Sequence, residues 1–164
     1  LRYPLALVAA SVDAGKPVWI LGTEEEGIKD VQAASQNLFR DFKEAARQGT
    51  ARIFICLRSK AKAPDPSTFQ NEVTLKLADI GMANVEHWRV WPGLFSGGGL
   101  DVMTTFLLKK MLKLTIAEGA EVIDFCSGSG TIAEVVRQMQ PKAVLHLADA
   151  DALAIDAAKN NLPF

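Results

Sequence analysis

The sequence predicts an α/β fold built from strand-helix-strand units, and three observations point to it. The apolar run Val122-Ile123-Asp124-Phe125 passes through the small-residue turn Ser127-Gly128-Ser129-Gly130 into a helical pattern that begins at Thr131. One unit further on, Ala143-Val144-Leu145-His146-Leu147 repeats the strand and ends at Ala148-Asp149. Nearer the start, Val18-Trp19-Ile20-Leu21 and Ile53-Phe54-Ile55-Cys56-Leu57 are strand-like runs separated by apolar residues at helical spacing. Alternation of this kind favours sheets that hold ligands beyond the carboxyl ends of their strands.

A chain of 164 residues is one ordinary domain, or one domain with part of another. Apolar residues make up 49% and charged residues 23%, enough to build a core. A net charge of -1 argues against a surface made to coat nucleic acid, though it leaves room for a local basic face. No run of 18 apolar residues occurs, so no membrane span is expected. Cys56 and Cys126 lie in apolar surroundings without disulfide or metal-ligand spacing; both are expected to be buried thiols, and no metal is expected. Leu1-Arg2-Tyr3-Pro4 lacks an initiator methionine and a secretory pattern, and the chain stops just after a predicted helix. The sheet would then be short of strands, so the chain reads as a fragment of a longer protein.

In order, Leu5 to Ser11 is a short apolar helix end or edge segment, and Asp13 to Pro17 is a turn. After the strand Val18 to Leu21 comes Gly22, then Glu24-Glu25-Glu26, whose charge suits a helix start. Ile28, Val31, Ala34, Ser35 and Leu38 recur at helical spacing, and Phe39, Phe42, Ala45 and Ala46 continue it. Residues 18–57 therefore read as β-α-β. Arg58 to Pro66 reads as a solvated linker. The segment from Phe69 to Ala78 is compatible with a strand or a short helix, and Val85 to Trp91 reads as a strand. His87 has no partner at metal-ligand spacing. Residues 1–66 are thus taken as a first α/β domain, 67–91 as a connecting segment, and 92–164 as the start of a second domain.

Pro92 to Gly99 is a glycine-rich loop that leads through Leu100-Asp101 into a long helix. Met103, Leu107, Met111 and Leu114 share one side of that helix, while Lys109, Lys110 and Lys113 fall elsewhere. The loop is placed to wall or cover a pocket, with Asp101 as its polar contact. Thr131 to Met139 supplies the helix after the turn, with Ile132, Val135, Val136 and Met139 inward and Pro141 closing it. Asp124 and Asp149 are one β-α-β unit apart, so both arrive at the same sheet edge, where Asp149 is placed to accept ribose hydroxyls. Gly128, Gly130 and Ala133 fit a dinucleotide fingerprint loosely, but an acid at the strand end suits an amino group better than a pyrophosphate. The residues leave three readings open: a nucleoside joined to an amino acid, a dinucleotide, or a structural turn without a ligand.

VIDFCSGSGT followed by LHLADADALAIDAAKNN resembles the first two motifs of class I S-adenosylmethionine-dependent methyltransferases. PGLFSGGGLDVMTTFLL resembles the segment before the cofactor motif in ribosomal RNA small-subunit guanine-N2 methyltransferases of the RsmC-like type, and VWILGTEEEGIKDV is similar to part of their first domain. The resemblance implies a Rossmann-like class I methyltransferase fold, with a degenerate, cofactor-free domain preceding a catalytic domain that is incomplete here. It implies S-adenosylmethionine as cofactor, ribosomal RNA or the small ribosomal subunit as partner, and a cytoplasmic setting. Carried over, Asp124, Ser127, Gly128 and Gly130 would line the methionine end, Asp149 would bind the ribose and Ala150 would lie near adenine, while Phe95, Ser96 and Asp101 would close the pocket. Cys126 stands where the family has a glycine, and is expected to keep an ordinary backbone angle. The family's Asn-Pro-Pro-Phe motif is not present; Asn161-Leu162-Pro163-Phe164 lies too close to Asp149 to serve for it. A noncatalytic scaffold or RNA-binding module, or a methyltransferase acting on a protein or small molecule, is the alternative.

Overall fold

The computed structural model describes residues 1–162 and divides into two compact units, one from Leu1 to Phe69 and one that starts at Gln70. In the first, Leu5 to Ser11 belongs to helix α1 (Arg2–Ser11), followed by strand β1 (Pro17–Gly22), a 3-10 turn at Ile28–Asp30 and the single-turn helix α2 (Val31–Ala34). Strands β2 (Phe39–Gln48) and β3 (Ala51–Arg58) complete a three-stranded sheet in the order β1-β3-β2, antiparallel throughout.

The β-α-β reading of residues 18–57 is therefore corrected. Gln36 and Asn37 take positive φ angles of 47° and 68°, which end the helix after α2. Phe39 to Gln48 then runs back as a strand along β3, with register shifts on either side of residues 43 and 44. Helical spacing in this segment is overridden because β3 becomes a central strand, and its free edge is satisfied by β2. The core beneath the sheet gathers Leu5 and Ala9 of α1 with Ile28, Val31, Phe39 and Cys56.

Arg58, expected in a solvated linker, is instead buried at the end of β3, only 7% exposed. Its guanidinium donates to the carbonyls of Ala9 (2.8 Å), Leu38 (3.2 Å), Ser59 (2.6 Å) and Ala61 (2.9 Å). Four carbonyl dipoles thus replace the water that a buried cation would otherwise lose.

In the second unit, β4 (Asn71–Leu75) and β5 (Val85–Val90) form an antiparallel hairpin. Of residues 67–91, expected as a connection, those from Gln70 on are part of this unit and supply Leu75, Leu77 and Trp88 to its core. Helix α3 (Val102–Met111) follows, then β6 (Glu121–Phe125), α4 (Thr131–Met139), β7 (Val144–Ala148) and α5 (Ala152–Asn161). Strands β6 and β7 are parallel, with Asp124 opposite Leu147 and Phe125 opposite Ala148. This is the β-α-β unit that the alternation of apolar runs predicts.

Period-two alternation decides which way each strand residue faces. Val122 and Asp124 of β6 turn towards α4, leaving Ile123 (72% exposed) and Phe125 (79%) on the open side of the sheet. Leu108 is the fully buried residue described on α3; of the four residues expected on one side, Met111 packs on the core, while Met103 and Leu107, and Leu114 beyond the helix end, are exposed. Among the described residues no helix is long and apolar enough to cross a membrane.

Candidate cofactor site

The turn between β6 and α4 is held by its own backbone and by one acid from the neighbouring strand. Ser127 N–H donates to Ala148 O (3.1 Å) and Gly130 N–H to Ser127 O (2.9 Å), so the chain folds back at the tips of both strands. Gly128 N–H donates to Asp149 Oδ2 at 2.8 Å, and Asp149 Oδ1 accepts the Asp151 N–H at 2.9 Å. The backbone amides of Asp151 and Gly128 hold the Asp149 carboxyl below its ordinary pKa, because they favour the charged form. Gly130 caps α4 at φ 91°, and a Cβ there would come within 2.9 Å of Leu162 Cδ1, so a side chain at this corner would strain the backbone and displace Leu162.

Cys126 corrects two expectations. It adopts φ 61°, the left-handed conformation that a glycine would take, and its side chain is exposed rather than buried. Cys56, by contrast, is buried, and burial pushes its thiol pKa up.

Asp124 is buried beneath the turn. Its Oδ2 accepts the Ala133 N–H of the first turn of α4 at 3.1 Å. Desolvation raises its pKa above the ordinary carboxylate value; the Ala133 amide partly offsets this, and the nearby Asp149 charge adds to it.

A cavity of about 270 Å³ opens above the turn. Ser127, Gly128 and Asp149 line one side of it, and Phe95, Ser96 and Asp101 line the other. These are six of the nine residues expected there. Asp124, Gly130 and Ala150 are not among its lining: the first faces α4, the second packs on Leu162, and Ala150 is exposed. The loop after β5 closes tightly. Ser96 takes φ 60°, and a Cβ on Gly98 would lie 2.4 Å from Val90 Cγ1. Asp101 is the N-cap of α3, its carboxylate accepting from Met103 N–H (2.8 Å), Thr104 N–H (3.1 Å) and the Thr104 hydroxyl (2.5 Å). Thr104's hydroxyl is the first cause of the lowered Asp101 pKa. Ser127 Oγ is buried with no hydrogen-bond partner among the described residues.

Residues 87–163 match the family model of the methyltransferase small domain. That match holds the turn, Asp149 and the loop after β5, and so every residue that lines the cavity.

Relatives carry the same resemblance across the whole chain. Ribosomal RNA small subunit methyltransferase C of Stutzerimonas stutzeri is 29% identical over 164 residues, covering 98% of this chain and 46% of that protein. Its counterpart from Hahella chejuensis is 28% identical over 156 residues, covering 94% of this chain and 43% of that one. The chain thus spans less than half the length of these relatives. Among solved structures, the T. thermophilus 16S rRNA N2 methyltransferase RsmC, in complex with AdoMet and guanosine, superposes with a TM-score of 0.75 at 19% identity. That match covers 98% of this chain and 42% of the other, and the shared architecture is the Rossmann-like α/β methyltransferase fold.

Among residues 87–163, sequence reasoning missed Thr104, Cys126 and Ser129 as cavity-lining residues. Thr104 was recoverable from the capping spacing of Asp101-Val102-Met103-Thr104. Asn161 is not available as a loose end of the helix: its amide bonds Arg89 and Ser129. Pro163 and Phe164 lie outside the described residues. His87 Nδ1 pairs with Glu72 Oε1 at 2.6 Å, and no metal-ligand group occurs among the described residues.

Proposed function

We propose that this protein transfers a methyl group from S-adenosylmethionine to the exocyclic N2 of a guanine in ribosomal RNA. The observation that carries the reading is Asp149 at the tip of β7, anchored by two amides and bordering the same cavity as the unpartnered Ser127 hydroxyl. An adenosyl cofactor fits this donor set. Each Asp149 oxygen keeps an acceptor site beyond the amide it already holds, enough for a pair of ribose hydroxyls. Ser127 Oγ, buried and unbonded, gains the polar partner that its burial otherwise denies it.

S-adenosylmethionine, when bound, supplies an electrophilic methyl carbon on a sulfonium sulfur. Ser127 and Gly128 would hold its methionine end, Asp149 its ribose, and Ala150 would lie near its adenine, with Phe95, Ser96 and Asp101 closing the opposite wall. Asp124 acts through the turn, fixing the start of α4 by way of the Ala133 amide. The protein's contribution is alignment and exclusion of water rather than covalent catalysis, with the target base unstacked from its helix. The first unit, whose sheet is antiparallel throughout, is assigned as the degenerate, cofactor-free domain. The partner is ribosomal RNA or the small ribosomal subunit, which sets the activity in the cytoplasm.

Transfer of radiolabel from the methyl group of S-adenosylmethionine to ribosomal RNA by the full-length protein tests the proposal, with N2-methylguanine expected in the digest. Label on another acceptor would reject the substrate. Calorimetric binding of NAD but not of S-adenosylmethionine would reject the cofactor.

A further inference from the structure

The turn that walls the cofactor cavity is also gripped from outside. Trp88 of β5, 1% exposed, donates from its indole Nε1 to Ser129 Oγ at 3.2 Å. Asn161, the last residue of α5, donates from Nδ2 to Ser129 O (3.1 Å) and to Arg89 O (2.9 Å), while its Oδ1 accepts the Arg89 N–H at 2.7 Å. A second tie between the same elements joins Trp91 Nε1 to Asp156 Oδ2 at 2.8 Å. Both polar groups that Ser129 presents outward, its hydroxyl and its carbonyl, are thereby tied to the hairpin and to the end of α5.

The need for such ties follows from the turn's composition. Ser129 stands between Gly128 and Gly130, and glycine on both sides leaves the unbound backbone more freedom to lose than any other pair would. A turn ordered before the ligand arrives spares that loss at binding and raises affinity. The neighbouring tie from Gly128 N–H to Asp149 lies on the cavity side. Among the described residues, Trp88 and Asn161 are the ones that hold the middle of the turn through side chains from outside it.

We infer that Trp88 and Asn161 are positioning residues that preset the 127–130 turn for the cofactor through Ser129. The inference rests on the methyltransferase reading above. It makes β5 and the end of α5 part of the cofactor site, although neither residue lines the cavity.

The test is a double-mutant cycle on the full-length protein, with the S-adenosylmethionine dissociation constant read by calorimetry and thermal stability read on the same samples. Trp88→Phe keeps an aromatic ring in the core but removes the Nε1–H donor with part of the ring volume, a packing loss read in the melting temperature; Ser129→Ala removes the hydroxyl that accepts it. Each is expected to weaken binding about three- to fivefold, and the double variant about as much as either single one, since both delete one hydrogen bond. Asn161→Ala, which frees the Ser129 carbonyl and the Arg89 backbone together, is expected to weaken binding about tenfold or more. The cofactor KM should rise in each case with kcat retained. A merely structural role would lower the melting temperature without moving the dissociation constant of protein still folded at the assay temperature, and that result would overturn the inference. So would additive effects of Trp88→Phe and Ser129→Ala, which would mean that Ser129 acts by touching the ligand directly. A wild-type protein that fails to bind S-adenosylmethionine at all would instead bring down the methyltransferase reading, and this inference with it.

Discussion

The Asp149 carboxylate accepts the Gly128 amide proton across 2.8 Å, so an acid at the tip of β7 holds the turn that leaves the tip of β6. One side chain thereby sets both the shape of the turn and the acceptor that faces the cavity. Its pKa is lowered in the folded protein, so its stabilising contribution is complete above the ordinary value of 3.8 and is lost as pH falls below that, through the native value. Cofactor affinity is expected to drop over the same acidic window. In Asp149→Asn, affinity should be low already at pH 7 and nearly flat with pH, as titration calorimetry at several pH values would measure.

Asp124 behaves in the opposite sense. Its pKa is raised by burial, so ionisation opposes folding once the pH climbs past the ordinary value of 3.8 and through the higher native one. Asp124→Asn keeps an acceptor for the Ala133 amide and removes the charge. The variant should therefore compare better with wild type at pH 7 than at pH 4, staying within about 1 kcal/mol of it at neutral pH. Urea unfolding at the two pH values checks this, and a reversed order would contradict it.

Cys126 occupies a left-handed backbone conformation at φ 61°. Relief of that strain, set against the greater freedom of glycine in the unfolded chain, makes Cys126→Gly neutral to stabilising by about 1 kcal/mol. The two thiols should also separate chemically. With a colorimetric disulfide reagent, exposed Cys126 is expected to react quickly and buried Cys56 only on unfolding. Because Cys126 lines the cavity, S-adenosylmethionine should slow the fast phase.

Arg58 donates to four backbone carbonyls from a buried position. Arg58→Met retains much of its packing volume but leaves those carbonyls without their donor, an expected loss of about 3 kcal/mol, measured by denaturant unfolding. Arg58→Lys should recover only part of it, because an ammonium cannot span the same fork of acceptors.

The strand-turn-helix-strand from Glu121 to Ala148 was legible because its signals are local. Apolar runs of strand length, small residues at the turn and an amphipathic helix follow one another within a few residues each. The facing of Asp124 was not read from the sequence, which placed it at the ligand, although alternation with Val122 turns it towards α4. Position at a strand end suggested a ligand contact, and period two decided otherwise. Phe39 to Gln48 was not legible: its apolar spacing suits a helix, and only pairing with β3 makes it a strand. Arg58 looked solvated for the same reason, because the carbonyls that surround it come from residues as distant as Ala9 and Leu38.

By itself, then, the order of residues determined where the cofactor turn lies, which acid reaches it from the next strand, and which family its second half resembles. These depend on short-range backbone preferences and on apolar periodicity, which neighbouring residues settle among themselves. Tertiary structure alone decided the strand partner of Phe39 to Gln48, the left-handed bend at Cys126 and the grip of Trp88 and Asn161 on Ser129. The strand pairing and the grip on Ser129 depend on hydrogen-bonding groups far apart in the chain finding one another as water is excluded, and no local pattern encodes which distant partner will be present.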